Sequence, residues 1–134
     1  MIYFDTNILV YATINQGDNK LEYSQNLISR AIEDGKFFIS PIVLSEYIIV
    51  LSKLKILNHH DKNIKFYSEF IQKNLDSKIV IKAYQKCLEV KNCKSINDFI
   101  HLEIAEKFCS KLITYDNGFE IFQKFYKIDV EILK

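Results

Sequence analysis

The chain has 134 residues, room for one domain of about 150 residues and no second core. With 49% hydrophobic and 26% charged side chains but 3 glycines and 1 proline, the composition excludes collagen, coiled coil and disorder. The net charge of +1 hides an uneven spread: 3 basic and 6 acidic side chains over residues 1–50, 10 and 4 over 51–94, 5 and 7 over 95–134. No apolar run approaches the ~20 residues of a membrane span, and Met1-Ile2-Tyr3-Phe4-Asp5 lacks the basic opening of a signal peptide. Cys87, Cys93 and Cys109 are odd in number and show no CxxC spacing. They predict buried, reduced thiols in a cytoplasmic protein and no zinc site.

Ile2-Tyr3-Phe4 reads as a short strand ending at Asp5. Asn7 is a candidate cap for a helix through Ile8, Leu9 and Ala12, and Gly17-Asp18-Asn19 breaks the pattern. A second helix spans Leu21 to Glu33, and Phe37-Phe38-Ile39 is the next strand. Ser40-Pro41 carries a helix start, Ser as cap and Pro at the first helical position, for a helix that runs to Leu54. Another helix is predicted over His60 to Leu75, a strand over Lys78-Ile79-Val80-Ile81, and a helix over Ala83 to Val90. Ser95 opens one more helix through Phe108, followed by a strand at Leu112-Ile113-Thr114. A short helix over Phe119 to Phe125 and a strand over Ile128 to Ile132 complete the chain. Short apolar runs alternating with helices predict parallel strands joined by helical crossovers. Their lack of period-two alternation predicts cover on both faces, hence an α/β fold, a three-layer α/β/α sandwich with about four or five parallel strands.

Four acids fall at telling places on that scaffold. Asp5 and Asp116 follow the carboxyl ends of strands, the edge where open α/β sheets bind ligands. Glu46 shares a helix face with Val43 and Val50, and Asp98 shares one with Leu102 and Ala105. Charged groups on apolar stripes need partners. Four carboxylates on one rim would repel one another unless protonated or bridged by a divalent cation. Oxygen donors without His or Cys at ligand spacing favour Mg²⁺ or Mn²⁺, and a carboxylate-bound Mg²⁺ is suited to phosphodiester hydrolysis.

Four stretches carry a family resemblance. Met1-Ile2-Tyr3-Phe4-Asp5-Thr6-Asn7-Ile8-Leu9-Val10 resembles the opening of the PIN domain, in particular of VapC-type toxins of toxin–antitoxin pairs. Leu44-Ser45-Glu46-Tyr47 is similar to that family's second acidic motif, Asp98 to Ala105 to its Asp-x-x-His-x-x-x-Ala helix, and Thr114 to Phe119 to its Thr-x-Asp-x-x-Phe motif. Order and spacing match along essentially the whole chain, so a single PIN-like domain is expected over 1–134. The resemblance implies a metal-dependent endoribonuclease acting on structured RNA, a homodimer and a cognate antitoxin. Carried over by position, the acidic site is Asp5, Glu46, Asp98 and Asp116, with Asp5, Asp98 and Asp116 as metal ligands. Asn7 and Thr114 would orient carboxylates or water. Lys53, Lys55, Lys62 and Lys65 are the candidates for RNA phosphate contacts. Phe99 departs from the family, which usually has Ala there, and so is expected to crowd the site or shift its helix.

Each feature also has a structural reading. Asp5 could cap a helix, Glu46 could snorkel to solvent, Ser95 to Asp98 could form a capping box, and Asp116-Asn117-Gly118 could be only a tight turn. His101, one helical turn after Asp98, is expected to be a satisfied structural histidine. The rival functions are a PIN-fold RNA-processing nuclease and a catalytically silent RNA-binding module. A phosphotransfer domain is disfavoured: Asn7 stands where a haloacid-dehalogenase type needs its second Asp, and Asp5 lacks the acidic neighbour of a receiver.

Overall fold

β-Branched and aromatic residues supply the strands, and helix caps set where each strand hands over to the next element. The computed structural model describes residues 1–134. In chain order the elements are β1 (Ile2–Phe4), α1 (Thr6–Thr13), α2 (Lys20–Glu33), β2 (Phe37–Phe38), α3 (Pro41–Lys53), α4 (Asp61–Ser68), α5 (Ser77–Glu89), α6 (Ile96–Phe108), β3 (Lys111–Thr114), α7 (Phe119–Gln123) and β4 (Asp129–Ile132). The four strands form one all-parallel sheet in the order β2-β1-β3-β4. Tyr3 pairs with Phe38 on one side and Leu112 on the other, and Leu112 with Val130. The chain leaves β1 for β2 and later returns to β1's opposite side as β3. The gap between the carboxyl ends of β1 and β3 is therefore a switch point, where α/β sheets bind ligands.

Successive strand residues point to opposite faces. Tyr3 and Phe4 are 0% and 1% exposed, and Leu112 and Ile113 are 0% and 5%, so both faces of the sheet are covered. This is the three-layer α/β arrangement that the unalternating apolar runs predict, with four strands. Ser40 caps α3 through Val43 N–H (3.4 Å), and Pro41 takes its first turn, as predicted. Gly17 (φ +80°) and Gly35 (φ +65°) take the left-handed turns on either side of α2 that other residues adopt at a cost.

Four expectations are corrected. Lys78-Ile79-Val80-Ile81 is not a strand but the start of α5, which Asp76 caps by accepting from Lys78 N–H (2.9 Å). Its buried residues are Ile79, Ala83 and Cys87, spaced four apart, so helical period outweighs a β-branched run. The predicted helix over His60 to Leu75 ends at Ser68, whose hydroxyl donates back to Lys65 carbonyl (2.6 Å), and Phe70 N–H bonds three residues back, to Tyr67 carbonyl. Asp5, not Asn7, caps α1.

The fourth correction concerns the thiols. Cys87 and Cys93 form a disulfide, with Cα atoms 5.0 Å apart, and Cys109 alone is free. A six-residue separation gave no recognisable motif, but Lys91 turns left-handed (φ 55°) and brings the chain back alongside the end of α5. A loop this short still removes denatured-state entropy. Full reduction by a dithiol, or Cys93→Ser, is expected to lower the unfolding free energy by about 2 kcal/mol, measured by urea denaturation with and without reductant.

Candidate active site

Asp5 sits at the end of β1 and is 6% exposed. Its Oδ1 accepts from Thr6 N–H (2.7 Å), the capping bond of α1. Its Oδ2 accepts from the Thr114 hydroxyl (2.6 Å) and the Asn7 side-chain amide (3.2 Å). The same Asn7 amide reaches Thr114 Oγ1 (3.1 Å), while Asn7 Oδ1 accepts from Tyr115 N–H (3.0 Å). Asp116 N–H donates to Thr114 Oγ1 (3.0 Å). Asn7 and Thr114 thus lace the end of β1 to the end of β3 and fix the Asp5 carboxylate between them.

On the opposite side, Glu46 projects from the second turn of α3. Its Oε1 accepts from the Thr6 hydroxyl (2.7 Å) and from His101 Nε2 (2.7 Å), and its Oε2 from Asn97 (3.4 Å). It does not simply snorkel to solvent. His101, 1% exposed on α6, also stands 3.7 Å from Asp5 Oδ1. Its Nδ1 meets the Tyr3 hydroxyl (2.6 Å), which in turn meets Ser40 Oγ (2.7 Å). A buried chain therefore runs from the cap of α3 through β1 and α6 back to α3: Ser40, Tyr3, His101, Glu46.

Asp98 lies in the first turn of α6. Ser95 makes no side-chain cap there, so the alternative of a capping box does not apply. Asp116 does serve a turn, accepting from Gly118 N–H (2.8 Å), and it also faces the site. A Cβ at Gly118 would meet Asp116 Oδ1 at 3.0 Å, so glycine gives that carboxylate room. Asp5, Glu46, Asp98 and Asp116 all line one open pocket of about 380 Å³, with Thr6, Asn7, Tyr11, Gln16 and His101 among their neighbours. No lysine or arginine lines it.

The electrostatics follow from that crowding. Burial raises the Asp5 pKa above the ordinary carboxylate range, although His101 and the bonds from Thr114 and Thr6 oppose it. Burial, together with the charges of Asp5, Asp116 and Glu46, pushes Asp98 up to about 6, against the pull of His101. Burial alone would raise Glu46, but the His101 hydrogen bond and charge, with Thr6 and Asn97, hold it below its usual value. Burial would depress His101, yet the Glu46 bond and the Asp5, Glu46 and Asp98 charges raise it. The pocket's four carboxylates outnumber the one group inside it able to carry a positive charge, His101. Hard oxygen donors with unmet negative charge fit Mg²⁺ or Mn²⁺. Potential ligand atoms of Asp5, Glu46 and His101 lie within 4.8 Å of one another. Both His101 nitrogens are already engaged, by Glu46 and Tyr3, so its part is to anchor Glu46 rather than to ligate.

The sequence profile of the PIN domain matches residues 2–124. The chain belongs to the PIN domain family. PIN domains are generally nucleases. No curated protein sequence matches the chain. Among solved structures, it superposes on a chain of VapBC2 from Rickettsia felis, crystallised bound to a DNA fragment from their promoter. The TM-score is 0.68 at 22% identity over 100% of both chains, a likeness of PIN fold.

Within this PIN domain the four predicted acids line one pocket, and Asn7 and Thr114 both donate to Asp5 Oδ2. Lys53, Lys55, Lys62 and Lys65 are exposed, none lines the pocket, and Lys65 pairs with Asp61 (2.9 Å). Phe99 neither crowds the pocket nor lines it. It is fully buried against Phe122, ring centroids 4.6 Å apart. Thr6, Tyr11 and Gln16 escaped sequence reasoning. Thr6, adjacent to Asp5, carried the only available signal.

Proposed function

We propose that this PIN domain is a divalent-metal-dependent endoribonuclease, the toxin of a VapBC-like toxin–antitoxin pair, which hydrolyses phosphodiester bonds in structured RNA. The observation that carries the reading is the pocket in which four carboxylates from separate stretches converge, two of them held above the ordinary range by burial. Asp5, Asp98 and Asp116 would hold Mg²⁺ or Mn²⁺. Such an ion, when bound, lowers the pKa of water and offsets charge on the scissile phosphate. Asn7 and Thr114 keep the Asp5 carboxylate facing the pocket, as outer partners of a metal ligand do. His101 and Thr6 occupy Glu46 Oε1, leaving Oε2, met only by Asn97 at 3.4 Å, to accept a proton from attacking water. The lowered pKa of Glu46 keeps that oxygen ionised.

The partners proposed with this role are a cognate antitoxin that covers the acidic groove, a second copy in a homodimer, and RNA as substrate. The proposed location is the cytoplasm. No helix is long and apolar enough to cross a membrane. The test is incubation of total RNA with the purified protein in Mg²⁺ or Mn²⁺ and in EDTA. Discrete fragments that vanish with EDTA are expected. RNA binding without cleavage under either metal would overturn the reading in favour of a silent module.

A further inference from the structure

α6 brings three side chains to the acidic site from its first two turns. Asn97 donates to Glu46 Oε2 (3.4 Å), Asp98 lines the pocket, and His101 holds Glu46 Oε1 (2.7 Å). α1, α3 and α5 each start on a side-chain cap, Asp5, Ser40 and Asp76, but Ser95 gives α6 none. A helix start without a cap needs another anchor. The chain leading into it offers no apolar burial, since residues 91–94 are exposed. What precedes α6 is a 3₁₀ turn, Cys93–Ser95, whose first residue is bonded to Cys87 on α5. α5 is a firm base for that bond: Ile79, Ala83 and Cys87 all face the core. The bridge thus fixes the entry to α6 little more than one helical turn before Asp98.

The two sulfurs are unequal. Cys87 is fully enclosed, whereas Cys93 is exposed, with exposed Lys91 and Lys94 beside it in sequence. A thiolate from solvent therefore meets Cys93 first, and neighbouring ammonium groups favour the thiolate of Cys93 once it is released. The third thiol stays out of the exchange, because burial pushes Cys109 up to about 12 and keeps it protonated. In a reducing cytoplasm such bridges are transient and redox-sensing rather than structural.

Resting on the metal-dependent nuclease reading, we propose that the Cys87–Cys93 bridge is a redox switch on the acidic pocket: the disulfide holds the first turns of α6 in place for a divalent cation, and reduction by a cellular dithiol releases them. The dithiol supplies both electrons. One of its thiolates bonds to Cys93 Sγ, the Cys87–Cys93 bond breaks, and Cys87 leaves as a thiolate that takes up a proton. The second thiolate of the dithiol then attacks its own sulfur in that mixed disulfide, and Cys93 leaves. The dithiol ends as a cyclic disulfide, and its two protons end on the cysteines.

The test compares the oxidised full chain with the same protein reduced by dithiothreitol and desalted without air. Calorimetric titration with MnCl₂ is expected to give a Kd about 10-fold or more weaker for the reduced form, restored by oxidised glutathione. Cys93→Ser should bind Mn²⁺ as the reduced protein does, and Cys109→Ser should follow wild type in both states. In metal-free protein, reduction should speed hydrogen exchange at residues 97–101 by a larger factor than in β1 and α3. Equal Mn²⁺ affinity in the two forms, an equal factor of exchange throughout, or alkylation of Cys87 and Cys93 by iodoacetamide in denaturant before any reduction would each overturn the switch. No Mn²⁺ binding by either form would instead overturn the metal site itself, and the switch with it.

Discussion

Asp98→Asn is expected to abolish metal-dependent RNA cleavage and, in the same molecule, to make the metal-free protein more stable at pH 7.5. Removing an outer partner of a metal ligand already costs about 10–100-fold, so loss of a direct ligand should exceed 100-fold. The stability gain follows from the pKa. Asp98 titrates at about 6 in the fold against 3.8 for the free side chain, because burial and the charges of Asp5, Asp116 and Glu46 disfavour its anion. The folded state therefore binds the proton more tightly than the unfolded chain. Below about 3.8 the group is neutral in both states and costs nothing. Between 3.8 and about 6 the unfolded chain loses its proton first, and stability falls as pH rises. Above that window the full penalty applies, on the order of 1 kcal/mol once partial exposure is allowed for. Asparagine carries no charge and escapes it. Thermal unfolding at pH 4.5 and 7.5 checks the sign: the variant's advantage should appear at 7.5 and shrink at 4.5. Adding Mn²⁺ should raise the melting temperature of wild type and leave that of Asp98→Asn nearly unmoved, since a ligand stabilises only a state that binds it. An active Asp98→Asn enzyme, or one that responds to Mn²⁺ as wild type does, would remove Asp98 from the ligand set.

His101→Ala is expected to be the most destabilising single change in the site, by roughly 3–5 kcal/mol. The imidazole is fully enclosed and bridges Tyr3 to Glu46 with hydrogen bonds of 2.6 and 2.7 Å. Deleting it leaves the buried Tyr3 hydroxyl with Ser40 as its one side-chain partner and removes the imidazole that faces Asp5 and Glu46. His101→Gln, which keeps a donor toward Glu46, should recover part of the loss. The pH dependence has a definite sign. Burial opposes the charge on His101, but the Glu46 bond and the surrounding carboxylates raise its pKa above 6.5. Its stabilising contribution is therefore complete below 6.5 and is lost as pH rises through the folded-state value. Urea denaturation of wild type and variant at pH 6 and 9 should show the gap between them narrowing at the higher pH. A gap that widens would mean that His101 is neutral in the fold.

The two expectations belong to one design. The pocket keeps an excess of carboxylate that weakens the metal-free protein, and His101 offsets part of it from within. Strain of this kind, maintained at a site and compensated elsewhere in the fold, marks function rather than stability.

Sequence alone determined the local and periodic features. Ser40-Pro41 announced α3 because capping chemistry acts within one turn, and Asp5 and Asp116 fell at strand ends because strands stop where apolar runs stop. It also placed Glu46 and Asp98 on inward stripes, since helical spacing fixes direction from one residue to the next. It misjudged Ile79-Val80-Ile81, where β-branched residues argue for a strand and only the wider Ile79, Ala83, Cys87 spacing argues for a helix. Tertiary structure decided the rest, because those contacts join positions far apart in the chain. The His101–Glu46 bond spans 55 residues and the Tyr3–His101 bond 98, so the sequence set His101 one turn from Asp98 but did not give its partners. The Cys87–Cys93 bridge depended on a left-handed Lys91.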